Sequence, residues 1–404
     1  MDVEPEGYDK VLRLIEAGAT IPNPLSLDIG DDIDLGRIAA AGVVIHPGCR
    51  IHGAKTVISP GCTLGSEGPA TLVDCALGPK VELKGGYFKQ SVFLEKANMG
   101  LGAQVREGCL LEEEANGAHC VGLKQTILLP FVTLGSLINF CDCLMAGGTS
   151  RKNHSEVGSS YIHFNYTPDG DKTTPSLFGD VPRGVMLNQP PIFLGGQGGA
   201  VGPVRVGYGT VVAAGSVLLQ DVPEDNKLVA AVPPPGFVRD REPHTYKNLV
   251  RIVRNNVIYL ANLVALESWY REVREPFFAR QEMGPLVYAA ALEVLTMAKA
   301  ERVKRLAAMA AKVPASTTAG REFAERADAV GALFASDAEV PDGQDFLRAL
   351  RLSENEAGTY IDTIQGLAPQ VQSAGTRWLE QIVTTLCGRA HGVLASMDLF
   401  GHGV

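Results

Sequence analysis

Between Gly148 and Pro175 the chain gathers side chains suited to an anionic, hydroxylated molecule. Arg151, Lys152 and Lys172 can make charge-assisted hydrogen bonds to a phosphate. Asn165 and Tyr166 offer the amide and hydroxyl groups that orient a sugar. Either His154 or His163 can accept a proton near neutral pH. His154 and Lys172 stand 18 residues apart. In a chain that coils with that period, the interval would put a base beside an anion anchor on adjacent coils. The competing reading is an ordinary surface loop, with both histidines solvated or bonded to backbone.

Other chemistry finds less support. No G-x-x-x-x-G-K-[ST] loop, no glycine-rich strand-to-helix fingerprint and no G-x-S-x-G elbow occurs, so the attacking group would be the substrate's own amine or hydroxyl. His46 and His52, six residues apart, read as coil surface. His119, His154 and His163 carry no ligand spacing, and no catalytic metal is expected. Cys141 and Cys143 form a lone C-x-C around Asp142, read as core packing. The eight cysteines make neither a disulfide framework nor a paired C-x-x-C site.

The elements that must hold these residues fall into two regimes. Of 45 glycines, 34 precede residue 241 and 11 follow it. Before the break, apolar residues return about every six positions, as at Ile45, Ile51, Ile58 and Leu64, and again at Val206, Val212 and Leu218. Such a period fits a chain that turns a corner after each short strand, sending one branched side chain inward, with three steps closing a triangular coil of about 18 residues. A parallel β-helix follows for residues 41–240, after an N-terminal segment 1–40; a β-sandwich or mixed domain with many turns is the alternative. The phasing blurs between Gly65 and Ala200, so the polar stretch and the GGQGGAVG run read as loops or distorted coils. Pro233, Pro234 and Pro235 cannot continue a ladder and mark an exit. Beyond them Leu249, Ile252, Val253, Val257 and Leu260 show helical spacing, and residues 241–404 read as an α-helical domain.

With 404 residues and 46% hydrophobic content the chain has ample material for a core. A net charge of -9 without a Lys/Arg block argues against nucleic acid. No run approaches the roughly 20 uninterrupted apolar residues of a membrane span, and the acidic start suggests a cytoplasmic protein.

Against this background NYTPDGDKTTPSLFGD, followed by FLGGQGGAVGPVRVGYGTVVAAGSVLLQDVPEDN, resembles the β-helix acetyltransferase half of the bifunctional N-acetylglucosamine-1-phosphate uridylyltransferase/glucosamine-1-phosphate acetyltransferase family. Asn165-Tyr166, Asp169-Gly170, Lys172, Gly179-Asp180, Val206-Gly207 and Ala213-Ala214-Gly215-Ser216 match its pattern. The resemblance implies a left-handed β-helix, a homotrimer and an acetyl-CoA-dependent site between subunits. It implies His154 as general base, through Asn153-His154; Arg151, Lys152, Asn165, Tyr166 and Lys172 as ligands of a sugar phosphate; and Gly196 and Ala214 beside acetyl-CoA. Gly196 stands where the family has a serine. A second alignment sets the family's Asn-His pair on Asn139-Phe140, which leaves no base.

The chain departs from the family in having no uridylyltransferase nucleotide loop in its first 40 residues and about 160 helical residues after the β-helix. Two functions stay open: N-acetylation of an amino-sugar phosphate or nucleotide sugar, and a non-catalytic trimeric sugar-nucleotide-binding or assembly protein whose helices meet a protein partner.

Overall fold

Ile45, Ile51, Ile58 and Leu64 all point into one interior and are fully buried, as their spacing requires. The computed structural model describes residues 5–232, 235–335, 339–353 and 358–401. Around that interior the chain winds a left-handed parallel β-helix with three faces. The first face stacks ten short strands from Val44–Ile45 to Leu228–Val229. The second runs from Asp28–Ile29 to Val217–Leu218, and the third from Val57–Ile58 to Arg205–Val206. Strands Gly122–Leu128 and Asn139–Met145 bend around the edge between the second and third faces and pair on both. Gln125 and Asp142 adopt positive φ of 51° and 57° at those bends.

Thr63 stacks on Glu82, Asn98, Asn116 and Thr133, at intervals of 16 to 19 residues. The coils are thus regular through Met145, where the sequence suggested irregularity from Gly65 onward. The apolar phase is harder to read there because third-face strands bury consecutive residues, as in Ser91–Phe93 and Cys109–Leu111. The GGQGGAVG run is also coil rather than loop: Phe193–Leu194 and Gly199–Val201 are strands on either side of one edge. Its glycines permit close stacking, since a Cβ on Gly195 would lie 2.4 Å from the Ala214 nitrogen of the next coil.

The expected excursions occur only after Met145. They are an antiparallel hairpin of Gly148–Ser150 with Asn153–His154, residues 165–175, and residues 179–191. Together they push Glu156 away from its stacking partners Thr133 and Phe193 in sequence while leaving the ladder intact. Strand Asp28–Ile29 already pairs with Arg50–Ile51, so part of the N-terminal segment is built into the stack.

Nine helices are described: α1 Tyr8–Glu16, α2 Val181–Gly184, α3 Leu249–Trp269, α4 Glu275–Ala279, α5 Gly284–Ala310, α6 Thr318–Ala332, α7 Gln344–Ser353, α8 Tyr360–Gln365 and α9 Pro369–Val393. Of the exit prolines, Pro233 and Pro234 lie outside the described residues. α5 packs on strands Ala76–Leu77, Ser91–Phe93 and Cys109–Leu111, and α3 on Ser176–Phe178, so the third face is roofed by helices. Strand neighbours alternate sides, and the outward column Val57, Ala76, Val92, Leu110, Ile127, Leu144 and Leu177 is therefore apolar and buried. One hydrophobic core runs through coils and helices.

The segment Leu249–Ala279 is long and apolar enough to cross a membrane by composition, yet 72% of its most apolar window is buried inside the protein. It carries Asn255, Asn256 and Glu267, all buried and hydrogen-bonded, as suits a core helix. Between α3 and α4 a π-turn, Tyr270–Arg274, precedes Pro276, whose ring cannot continue regular α-helical bonding. The turn aims Tyr270 and Arg274 at the coils. Tyr270 donates to Glu112 (2.7 Å), and Arg274 pairs with Glu113 while the Tyr360 ring lies 3.7 Å from its guanidinium carbon.

Candidate functional site

The hairpin that carries His154 leaves the coil at the edge between the third and first faces, through Gly147 and Gly148 at φ 102° and 100°. A Cβ on Gly148 would meet the His154 Cα at 2.6 Å, so a side chain there would force the hairpin apart. Its base is pinned by the Ser155 hydroxyl, which donates to the Ala146 carbonyl and accepts from the Ile192 amide. From the helical roof, Gln365 donates to the Thr149 carbonyl at 2.7 Å.

The His154 ring is partly exposed, with Nδ1 2.9 Å from the Arg151 carbonyl. A carbonyl only accepts, so Nδ1 carries the proton and the neutral ring keeps its lone pair on Nε2. Glu156 Oε2 lies 3.6 Å from Nε2. The ring is thus held by one nitrogen with the other turned toward a carboxylate, a geometry suited to accepting a proton and stabilising the resulting imidazolium.

Arg151 Nη1 is committed to the coil, donating to the carbonyls of Glu114 and Phe131 and to the Thr133 hydroxyl. Burial acts to lower its pKa, and nearby Glu114 opposes that. This guanidinium braces the hairpin, whereas Lys152 at the tip is exposed. Beside the same edge, Glu95, Glu113, Glu114, Thr359, Tyr360 and Asp362 help line a cavity of about 340 Å³.

Asn165, Tyr166 and Lys172 lie elsewhere, in the excursion between the second and third faces. Asn165 donates to Asp142 Oδ2 (3.1 Å), and Arg302 of α5 donates to Asp142 Oδ1 (2.7 Å). Tyr166 is 75% exposed, and Lys172 is exposed with its backbone amide on the Thr167 hydroxyl. The excursion is clamped by the helical region. Tyr246 donates to Asp171, Arg241 to Asp169 Oδ1, and Lys312 to the Asp169 carbonyl. His154 and Lys172 are therefore not equivalent on adjacent coils. The inserted hairpin and excursion break the 18-residue register, and the two sit on different edges.

Gly196 and Ala214 share the remaining edge, between the first and second faces. They sit on adjacent coils, where the Gly196 carbonyl accepts from the Gly215 amide. Within one chain the sequence-derived candidates thus occupy three edges of one prism.

His163 is buried, and its Nε2 lies 2.7 Å from the Ser176 hydroxyl. The same hydroxyl accepts from the Val204 amide, so Ser176 links the ring to the next coil. Burial pushes its pKa from 6.5 down to about 4. Phe140 is fully buried within the coils, with the rings of Tyr161, His163 and Phe178 around it. The sequence reading gave Glu156 no role, took Asp142 only as part of the packed C-x-C and did not single out Arg302. Glu156 stands two residues from His154, a usable signal, but the Asp142–Arg302 pair spans 160 residues.

Bifunctional protein GlmU of Thermotoga maritima is 29% identical over 215 residues, 53% of this chain and 42% of its own length. GlmU of Fervidobacterium nodosum is 30% identical over 214 residues, again 53% and 42%, and that of Trichlorobacter lovleyi 29% over 223, 55% and 43%. The chain spans less than half the length of these curated relatives. No family model matches. Among solved structures, UDP-N-acetylglucosamine acyltransferase from Campylobacter jejuni is similar at 15% identity, over 50% of this chain and 68% of that one, with a TM-score of 0.19. Over about half of its length the chain is similar to the acetyltransferase region of the GlmU proteins.

Proposed function

We propose that the protein transfers an acetyl group from acetyl-CoA to the amine of an amino-sugar phosphate or nucleotide sugar, in a site completed between copies of a homotrimer. The observation that carries this reading is the His154 ring, fixed through Nδ1 with the Nε2 lone pair turned toward Glu156. Nε2 takes the proton released as the amine nitrogen attacks the thioester carbonyl. The C–N bond forms, the C–S bond breaks, and the departing thiolate takes up a proton. Glu156 stabilises the transient imidazolium. Phe140, buried inside the coils, could present no base to a cleft, which favours His154.

The separation of the candidates supports a shared site. Lys172, Asn165 and Tyr166 of one copy would hold the sugar phosphate near His154 of another, with Lys152 as a further cation. Gly196 and the small, exposed Ala214 leave their edge open for the thioester substrate. The flanking surfaces favour self-association. On the first face Phe193, Val211 and Leu228 are 39%, 41% and 80% exposed, and on the second Ile162 and Val217 are 40% and 37% exposed. Apolar surface concentrated beside the candidate site is a surface for burial against another copy.

The test is a coenzyme A release assay on the full chain across glucosamine phosphates and amino-sugar nucleotides. His154→Ala should lower turnover about 100-fold or more while leaving the trimer's mass unchanged. Lys172→Ala should instead weaken binding of the phosphorylated acceptor. Absence of turnover with every acceptor, with saturable nucleotide-sugar binding that survives both substitutions, favours the binding-protein reading and overturns this one.

A further inference from the structure

The excursion that carries Asn165, Tyr166 and Lys172 contains neither helix nor strand, and within it Lys172 sits at φ 56°. That is the left-handed region, which a side-chain-bearing residue keeps only where its surroundings hold it there. At a coil corner such as Gln125 the ladder does so. At Lys172 the neighbours on both sides are turned into the protein: Asp171 is 1% and Thr173 2% exposed, while Lys172 itself is exposed. The outward course of the lysine is therefore set by what holds Asp171 and Thr173 inside.

One oxygen of Asp171 is satisfied locally, with Oδ1 accepting from the Thr173 amide (3.2 Å) and hydroxyl (2.9 Å). The other depends on a distant residue: Oδ2 accepts from the Tyr246 hydroxyl at 2.9 Å, across 75 positions. Tyr246 stands beyond the exit prolines, three residues before α3 begins at Leu249. Burial, followed by the neighbouring carboxylate, raises the Tyr246 pKa, so the phenol keeps the proton it donates. Without that hydroxyl, half of a buried carboxylate would lose its partner and be drawn toward water, carrying the adjacent backbone with it. The same segment also grips Asp169, through Arg241 and the His244 amide (3.2 Å), at the more exposed side of the excursion.

We infer that Tyr246 is a positioning residue for the acceptor: by holding Asp171 inside, it fixes the direction in which Lys172 meets the acceptor's phosphate. For the ligand of Lys172 this rests on the transfer reading above. A lysine stem is flexible, so the part of its placement that the protein controls is the backbone at its base. Fixing that base beforehand reduces the ordering that phosphate binding must supply. The segment leading into the helices then serves the acceptor loop, in addition to the roof that the helices make over the third face.

Steady-state kinetics and isothermal titration of the full chain with glucosamine 1-phosphate, glucosamine 6-phosphate and UDP-glucosamine test this. For the acceptor bound best, Tyr246→Phe, which keeps the ring and removes only the hydroxyl, should raise KM about tenfold with kcat within about twofold and the KM for acetyl-CoA unchanged. Where binding occurs without transfer, the same rise is read in the dissociation constant. Lys172→Ala should raise it at least as much, and Tyr246→Phe added to Lys172→Ala should raise it no further. An acceptor KM that ignores Tyr246→Phe overturns the inference and leaves the transfer reading standing. So does a rise that persists in full on top of Lys172→Ala, since general loosening of the excursion would produce it. Neither binding nor turnover with any of the three acceptors removes the transfer reading and this role with it.

Discussion

The third face of the β-helix and its other two faces obey different rules, although one chain builds all three in every coil. On the third face consecutive residues are buried, one toward the coil interior and the next under the helices, as in Cys109–Leu111. On the open faces burial alternates, as in Ala103–Val105, where Gln104 is exposed between two buried neighbours. The open faces also change along their length. The second-face column Asp28, Arg50, Thr71, Tyr87 and Gln104 is mostly polar, and the same column later presents Ile162 and Val217. A face can be roofed by the chain's own helices or left for another copy, and the outward residues differ accordingly.

The largest effect is expected where the open faces turn apolar. Val211→Asp should abolish self-association and with it transfer activity, measured by light scattering and coenzyme A release, while Thr71→Asp on the polar coils changes neither. A Val211→Asp protein that stays trimeric and active breaks the comparison.

Under the roof, the buried Arg302–Asp142 pair joins α5 to the coil and, through Asn165, to the candidate ligand loop. Arg302→Ala strands a buried carboxylate and should cost about 3–5 kcal/mol by urea unfolding. Lys84→Ala, which breaks the partly exposed Lys84–Glu67 pair, should cost at most about 1 kcal/mol. Apolar substitutions sharpen the same contrast: Leu110→Ala should cost about 2–5 kcal/mol, whereas Gln104→Ala should stay within about 0.5 kcal/mol.

The smallest expected effect is on pH dependence. Burial raises the Glu112 pKa from 4.5 to about 7, against the lowering influence of Arg274. The folded state then binds that proton more tightly than the unfolded chain, so this carboxyl lowers stability as pH rises from 4.5 to 7. Buried His163 acts oppositely, raising stability as pH rises from 4 to 6.5. Wild-type stability should therefore change little between pH 4.5 and 6.5. Glu112→Gln should expose the upward slope of His163, measured by denaturant midpoints across that range.

The coils were legible because a corner every six residues needs an inward branched side chain, and Ile45, Ile51, Ile58 and Leu64 supply one at each step. The helices were legible from the spacing at Leu249, Val253, Val257 and Leu260, all buried in α3. The regularity between Gly65 and Met145 was obscured because the roof makes third-face neighbours apolar as well, blurring the phase. The candidate polar residues could be named, but the shared period of His154 and Lys172 failed at two insertions whose lengths carry no periodic signal. Arg151 looked like a phosphate ligand by type and became a brace because three oxygens of neighbouring coils converge on its Nη1.

By itself the amino-acid order determined the coil, its division from the helical region and the side chains available for chemistry, since these follow from local periodicity and residue type. Only the tertiary structure decided which face the helices cover, which tautomer His154 adopts and that the candidates stand on three separate edges. It also decided that Arg205, which ends an otherwise apolar column, stands 3.9 Å from Asp221. Those outcomes depend on contacts between residues tens to more than a hundred positions apart, and no local pattern specifies which distant groups the folded chain brings together.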